Sequence, residues 1–233
     1  KVINILEENG MLTTEVDVLD VGCGPGTYAL PFTDRCKSVT ALDGAQEMCR
    51  ILEEKVAEKG LPNVTVLQHM WEDVDLEKDD LLNRFDLVFA SMTPAVCDYE
   101  TFMKLNLASR KFCCLISWAG GSFNEARRDL WELLFDEKDD GRGYHTLFQF
   151  NLLLSMGYYP SISYFDSHWV NEEKVDEAIE GLCRSFWLYT DITPKIKDTI
   201  AEYVKEKSNN GVFRQETRSR LSLMTWRVDE QED

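Results

Sequence analysis

Val16-Asp17-Val18-Leu19-Asp20-Val21-Gly22-Cys23-Gly24-Pro25-Gly26-Thr27-Tyr28-Ala29-Leu30 is the stretch on which the reading of this chain turns. The β-rich, largely apolar run through Val21 predicts a buried strand. It breaks into Gly22, Gly24 and Gly26, and Thr27-Tyr28-Ala29-Leu30 then opens a helix. Glycines so closely spaced cost backbone entropy, so the turn needs positive φ or the close approach of another molecule. Amides at a helix N-terminus carry unsatisfied donors and partial positive charge, which suits a phosphate or a carboxylate. The loop alone does not choose between them.

Outward from this turn the chain alternates. Residues 1–9 predict the tail of a helix, stopped at Asn9-Gly10. Strands are expected at 15–21, at 38–42 before Asp43, at 64–67, at 85–90 and at 112–118, the last ending at Gly120-Gly121. Between them fall a helix at 46–59, with Met48, Leu52 and Val56 inward, and another at 99–109. That rhythm calls for a doubly wound α/β fold, a mostly parallel sheet with helices on both faces. Beyond it come helices at 124–135 and 144–156, a strand opening at 161–165, helices at 172–188 and 193–207, and a last strand near 217–227. This makes seven strands. With no repeat and no long linker, 1–233 reads as a single domain carrying helical additions.

Composition narrows the partners. The 233 residues are 44% apolar and 29% charged, with a formal charge of −17. Such a surface repels phosphate backbones, so neither nucleic acid nor an anionic membrane is expected as a partner. The acidic runs at 72–80 and 136–140 read as solvated faces. Cysteines at 23, 36, 49, 97, 113, 114 and 183 form no Cys-x-x-Cys pair and have no histidine at zinc spacing, so no metal is expected. They read as reduced thiols of a cytoplasmic protein, with no signal peptide and no apolar run approaching the roughly 20 residues of a membrane span. The chain opens at Lys1 within a helical pattern, and residues upstream of it are expected.

In a doubly wound sheet the ligand lies at the carboxyl ends of the strands. Those ends are Gly22–Gly26, Asp43, Met70–Asp73, Ser91–Val96 and Trp118–Ser122. Asp43 follows Gly22 by 21 residues, where a carboxylate leaving the second strand can accept both hydroxyls of a ribose. Turn and acid together indicate a cofactor containing a nucleoside. A dinucleotide turn wants Gly-x-Gly-x-x-Gly or Ala, whereas position six here is Thr27 and the third glycine comes one residue early, which disfavours a nicotinamide cofactor. Asp20 beside the turn can instead meet a cationic amino group.

Val18-Leu19-Asp20-Val21-Gly22-Cys23-Gly24-Pro25-Gly26 resembles the first motif of class I S-adenosylmethionine-dependent methyltransferases. The likeness continues through Leu42-Asp43-Gly44-Ala45-Gln46-Glu47-Met48 and Phe85-Asp86-Leu87-Val88, covers about residues 15–120 and fades after that. It implies a Rossmann-like sheet whose last strand is antiparallel, and S-adenosylmethionine as cofactor. Carried over, Gly22, Cys23, Gly24 and Gly26 approach the methionine part, Asp20 its amino group and Asp43 the ribose, with Gly44 and Met48 near adenine. The acid expected to contact the adenine amine is replaced by Met70, which shifts that role to backbone near Trp71 or to Glu72; Ser91 completes the set.

Methyl transfer is an in-line displacement at carbon already activated by a sulfonium, so alignment and exclusion of water matter most and a general base is optional. The acceptor is expected to be a small molecule, held by the segment after Ser91 and covered by additions at 120–150 and 172–207. Thr93-Pro94-Ala95 lacks the amide or acid and the aromatic of an Asn/Asp-Pro-Pro-Tyr acceptor clamp, and that reading is rejected. His145, beside Tyr144 after a glycine loop, can supply a base; the plainer reading is a surface or helix-capping histidine. His69 and His168 read as a strand-end and a packed histidine. Phe123, Trp131, Trp169, Phe186, Trp187 and Tyr189 either line an acceptor pocket or fill core. The competing functions are a catalytically inactive methyltransferase-like binding module and, more weakly, a nicotinamide-dependent oxidoreductase. The sequence does not fix the oligomeric state.

Overall fold

The computed structural model describes residues 1–138, 146–187 and 189–230, with backbone only at Gly121 and Ser122. In chain order its elements are α1 (Val2–Glu8), β1 (Asp17–Val21), α2 (Ala29–Phe32), β2 (Ser38–Asp43), α3 (Gln46–Lys59), β3 (Val64–Gln68), a 3-10 turn (Trp71–Asp73), β4 (Phe85–Ser91), α4 (Tyr99–Ala108), β5 (Ser109–Asn124), α5 (Glu125–Phe135), α6 (Leu147–Ser155), β6 (Ser161–Lys174), α7 (Val175–Trp187), α8 (Pro194–Lys207) and β7 (Val212–Arg227).

The strands form one seven-stranded sheet in the order β3-β2-β1-β4-β5-β7-β6. β1 pairs in parallel with β2 (Val18 opposite Val39) and with β4 (Val18 opposite Leu87), and β2–β3 and β4–β5 are parallel too. β7 reverses. The amide of Val228, just past its end, donates to Lys111 O, while Ser222 bonds the carbonyl of Ser117, so partners descend on one strand as they ascend on the other. Arg220 with Asp166 and Gln215 with Glu173 show the same inverse order against β6. The expected mostly parallel sheet with an antiparallel last strand is what forms.

The chain divides into two compact units, residues 1–117, 146–163 and 222–233, and residues 118–145 and 164–221. In the first, Leu19 and Val21 of β1, Leu42, Val88, Phe102, Leu105 and Trp226 are buried together. Each fully buried side chain of this size contributes about 1.5–3 kcal/mol relative to exposure. Asp98 caps α4 by accepting from Thr101 N, in a reciprocal capping box. In the second unit α7 turns Ala178, Leu182 and Phe186, four residues apart, onto Leu130, Ile200, Val204 and Phe213. Asn124 starts α5 by accepting from Arg127 N, and its own amide donates to Gln215 and Thr217.

Several boundaries differ from expectation. β5 runs through Gly120-Gly121 to Asn124 beside β7, whose Gln215 and Thr217 side chains accept from the Asn124 side-chain amide. β6 likewise extends from 165 to Lys174, delaying the next helix from 172 to Val175. In α3 the buried residues are Cys49 and Leu52, with Met48 and Val56 half-buried. The helix is rotated so that Cys49 Sγ reaches the carbonyl of Asp43.

Candidate cofactor-binding site

All features of this site lie in the first unit. After β1 the chain turns through Gly22, Gly24 and Gly26 with φ of +67°, +54° and +88°. Two of these positions also exclude a side chain by contact. A Cβ on Gly22 would stand 1.9 Å from Thr93 Oγ1, and one on Gly26 would stand 2.5 Å from Leu52 Cδ1 of α3. A Cβ on Gly24 would meet nothing within 4 Å, so the backbone there is open to an approaching molecule.

The amides of the turn are already used. Gly22 N and Cys23 N donate to Leu42 O at 2.8 and 3.1 Å, Gly26 N donates to Cys23 O, and Gly24 N donates to Asp43 Oδ2 at 2.8 Å. These four donors therefore do not make the anion cradle that the sequence suggested. Asp43 accepts a second amide, Ala45 N, on Oδ1 at 2.8 Å, which holds its carboxylate against the turn.

Asp20 is buried at the base of the turn. One carboxyl oxygen accepts from the Ala29 amide, and Oδ2 has no partner. Burial, with the charge of Asp43 adding to it, pushes this carboxyl up to about 7 despite the opposing Ala29 bond. Cys23 is buried and its thiol is pushed far up by desolvation, then by Asp20 and Asp43, so it is no nucleophile. Tyr28 packs against Phe89 in a tilted arrangement, ring centroids 4.8 Å apart, and shares a hydrogen bond with Ser91, tying the turn to the end of β4.

A cleft of about 330 Å³ opens beside the turn. Gly22, Leu42, Asp43, Gly44 and Ala45 line one part, Met70, Trp71 and Glu72 another, and Thr93, Pro94 and Ala95 a third. Of the expected cofactor residues, Gly22, Asp43, Gly44, Trp71 and Glu72 come together there; Asp20, Cys23, Gly24, Gly26, Met48 and Ser91 are not among its lining. Thr93–Ala95, expected on the acceptor side, lines this same cleft. Met92, just before it, has φ +50° and donates from its amide to Ile116 O, which fixes the loop's course. Trp71 is buried and donates from Nε1 to Thr101 O, whereas Glu72 is exposed.

The residues fit S-adenosylmethionine. The half-buried Asp43 lines a cleft of suitable size for a nucleoside, and the turn that borders it at Gly22 carries the open Gly24 and, at its base, the unpartnered Asp20 Oδ2. Tyr144 and His145, the expected proton-transfer pair, lie outside the described residues. His168 bonds Glu216 at 2.9 Å on β6, and His69 Nδ1 sits 3.0 Å from Met70 O. In the second unit, Phe186 is buried, Trp131 packs on Phe135 and Tyr189, Trp169 on Trp118, and Phe123 and Trp187 are exposed.

Residues 18–111 match a family model described as a methyltransferase domain. An uncharacterized protein of Haemophilus influenzae is 34% identical over 98 residues, 42% of this chain and 35% of that protein. Ribosomal RNA small subunit methyltransferase G of Lactobacillus johnsonii is 35% identical over 86 residues, 36% of either chain. The chain thus spans about a third of the length of these relatives. Among solved structures, a candidate methyltransferase from Bacillus halodurans superposes with a TM-score of 0.62 at 17% identity, over 98% of this chain and 99% of that one, a likeness of fold.

These relatives correct one expectation. A ribosomal RNA methyltransferase among them means that nucleic acid is not excluded as a partner, nor is a small-molecule acceptor established. The −17 is a sum over the whole surface, while nucleic-acid binding is decided by the local field. No helix among the described residues is long and apolar enough to cross a membrane. Sequence match and strand order agree at one point: residues 18–111 match a methyltransferase domain, and the sheet that contains them has the fold of a solved candidate methyltransferase.

Proposed function

We propose that the cleft beside Gly22 and Asp43 binds S-adenosylmethionine and that the protein transfers its methyl group to an acceptor. The observation that carries this is the glycine turn locked to Asp43 through Gly24 N, with Asp20 Oδ2 unpartnered beneath it. Asp43 would hold the ribose hydroxyls, the backbone at Gly24 the methionine part, and Asp20 its ammonium group. Leu42, Ala45 and Met70 would cover the base. When bound, the cofactor supplies a methyl carbon activated by a sulfonium. The protein's own task is to align an acceptor with that carbon and keep water out. We assign acceptor choice to residues outside 18–111, in particular 120–150 and 172–207, and proton removal, where the acceptor needs it, to His145 with Tyr144.

Calorimetric titration with S-adenosylhomocysteine tests the first half, and the reading fails if no binding is seen up to about 100 μM, the middle of the usual range for substrate constants. Transfer of labelled methyl to ribosomal RNA and to a small-metabolite fraction, run side by side, tests the second and separates the two acceptor classes. Tight binding with transfer to neither would leave a cofactor-binding module.

A further inference from the structure

The base end of the cleft has few polar groups to spare. A purine's exocyclic amine is a donor and needs an acceptor. Six main-chain carbonyls of residues lining the cleft already accept one or two protein donors each. Leu42 O takes the amides of Gly22 and Cys23, Asp43 O takes His69 N and Cys49 Sγ, and Ala45 O takes the amides of Met48 and Cys49. Met70 O takes Asp73 N, and Lys104 Nζ takes the carbonyls of Trp71, Glu72 and Val74 at 3.0, 2.7 and 2.8 Å. Trp71 turns its own indole N–H inward to Thr101 O. Glu72 has its carboxylate exposed.

Beside these engaged carbonyls is Met70, 46% exposed, with its sulfur over Gly44: a Cβ on Gly44 would lie 2.1 Å from Met70 Sδ. An unbranched thioether is a pliable apolar cover and presents no acceptor able to select an amine. We propose that Met70 makes this site permissive at the purine 6-position, so that the base is held by shape between apolar surfaces and its amine goes unread. The inference rests on the cleft being the S-adenosylmethionine site and concerns which bases that site accepts.

The test compares two ligands by calorimetry on the full chain: S-adenosylhomocysteine, and its analogue with the 6-amino group replaced by hydrogen. A carboxylate accepting that amine would separate them by roughly ten- to a hundredfold. The wild-type protein should bind both within less than about tenfold, Met70→Leu should keep that ratio, and Met70→Asp should raise it above about tenfold in favour of the amine. A wild-type preference of about tenfold or more overturns the proposal, and its loss in Glu72→Ala would identify Glu72 as the reader. A Met70→Asp protein that binds S-adenosylhomocysteine without discriminating overturns the role given to Met70. If neither ligand binds the wild-type chain, the cofactor reading itself falls, which distinguishes that failure from the others.

Discussion

Replacing Asp20 by Asn should stabilise the protein at alkaline pH and do so while weakening cofactor binding. In the folded chain this carboxyl titrates at about 7, against 3.8 for the free group. The protonated form is thus favoured by folding. Asp20 leaves stability intact below about pH 4 and removes it progressively as pH rises to about 7. Three units at about 1.36 kcal/mol each give a loss of about 4 kcal/mol at pH 8. Asn abolishes that loss, keeps an acceptor for the Ala29 amide, and leaves a buried NH2 group that costs about 1–3 kcal/mol. The net gain is about 1–3 kcal/mol at pH 8. At pH 5 the wild-type loss is only about 1.6 kcal/mol, so the gain vanishes or reverses. Urea unfolding at pH 5 and pH 8, without ligand, measures both. An Asn variant less stable than wild type by the same amount at both values would refute the assignment of a raised, unpartnered carboxyl.

Other outcomes follow from the same geometry. Affinity for S-adenosylhomocysteine should rise with pH through about 7, because a bound ammonium needs Asp20 ionised; calorimetry across pH 6–8 should show it, and the dependence should disappear in Asp20→Asn. Asp43→Ala should weaken that ligand by about 1.5–3 kcal/mol, as expected for losing charge-assisted hydrogen bonds, read in the same titration. Gly22→Ala places a methyl 1.9 Å from Thr93 Oγ1 at φ +67°, and should lower stability by more than about 1 kcal/mol in thermal or urea unfolding. Phe186→Ala, in the core of the second unit, should cost about 3–5 kcal/mol by the same measurement.

What could be read from residues alone was what local chemistry dictates. The apolar run 16–21, the glycine spacing and Asp43 each have a local cause, and the strand, the turn and the acid stand where they were expected. What escaped depends on groups far apart in the chain. Nothing in Gly120-Gly121 announces that β5 continues past it, beside β7, to Asn124. Thr93 against Gly22 joins residues from two strand ends. Lys104 holding the carbonyls of Trp71, Glu72 and Val74 links a helix to a turn some thirty residues earlier. Net charge misled for a related reason: a sum over the chain carries no information about any one face.

The turn itself shows how such distant bonds change a reading. From the sequence, three glycines before a helix offered free amides for an anion. In the fold, Leu42 O, Cys23 O and Asp43 Oδ2 consume those amides. A phosphate at that place would therefore have to displace internal bonds and would meet the carboxylates of Asp20 and Asp43. Both effects act against a pyrophosphate and favour a cation. The glycines are required for a different reason, since positive φ lets the turn fold back on Leu42 and keeps a side chain off Thr93. On the cofactor reading proposed above, the same motif would discriminate between two nucleoside cofactors by what its backbone no longer has to give, with Asp20 supplying the sign of the charge it accepts.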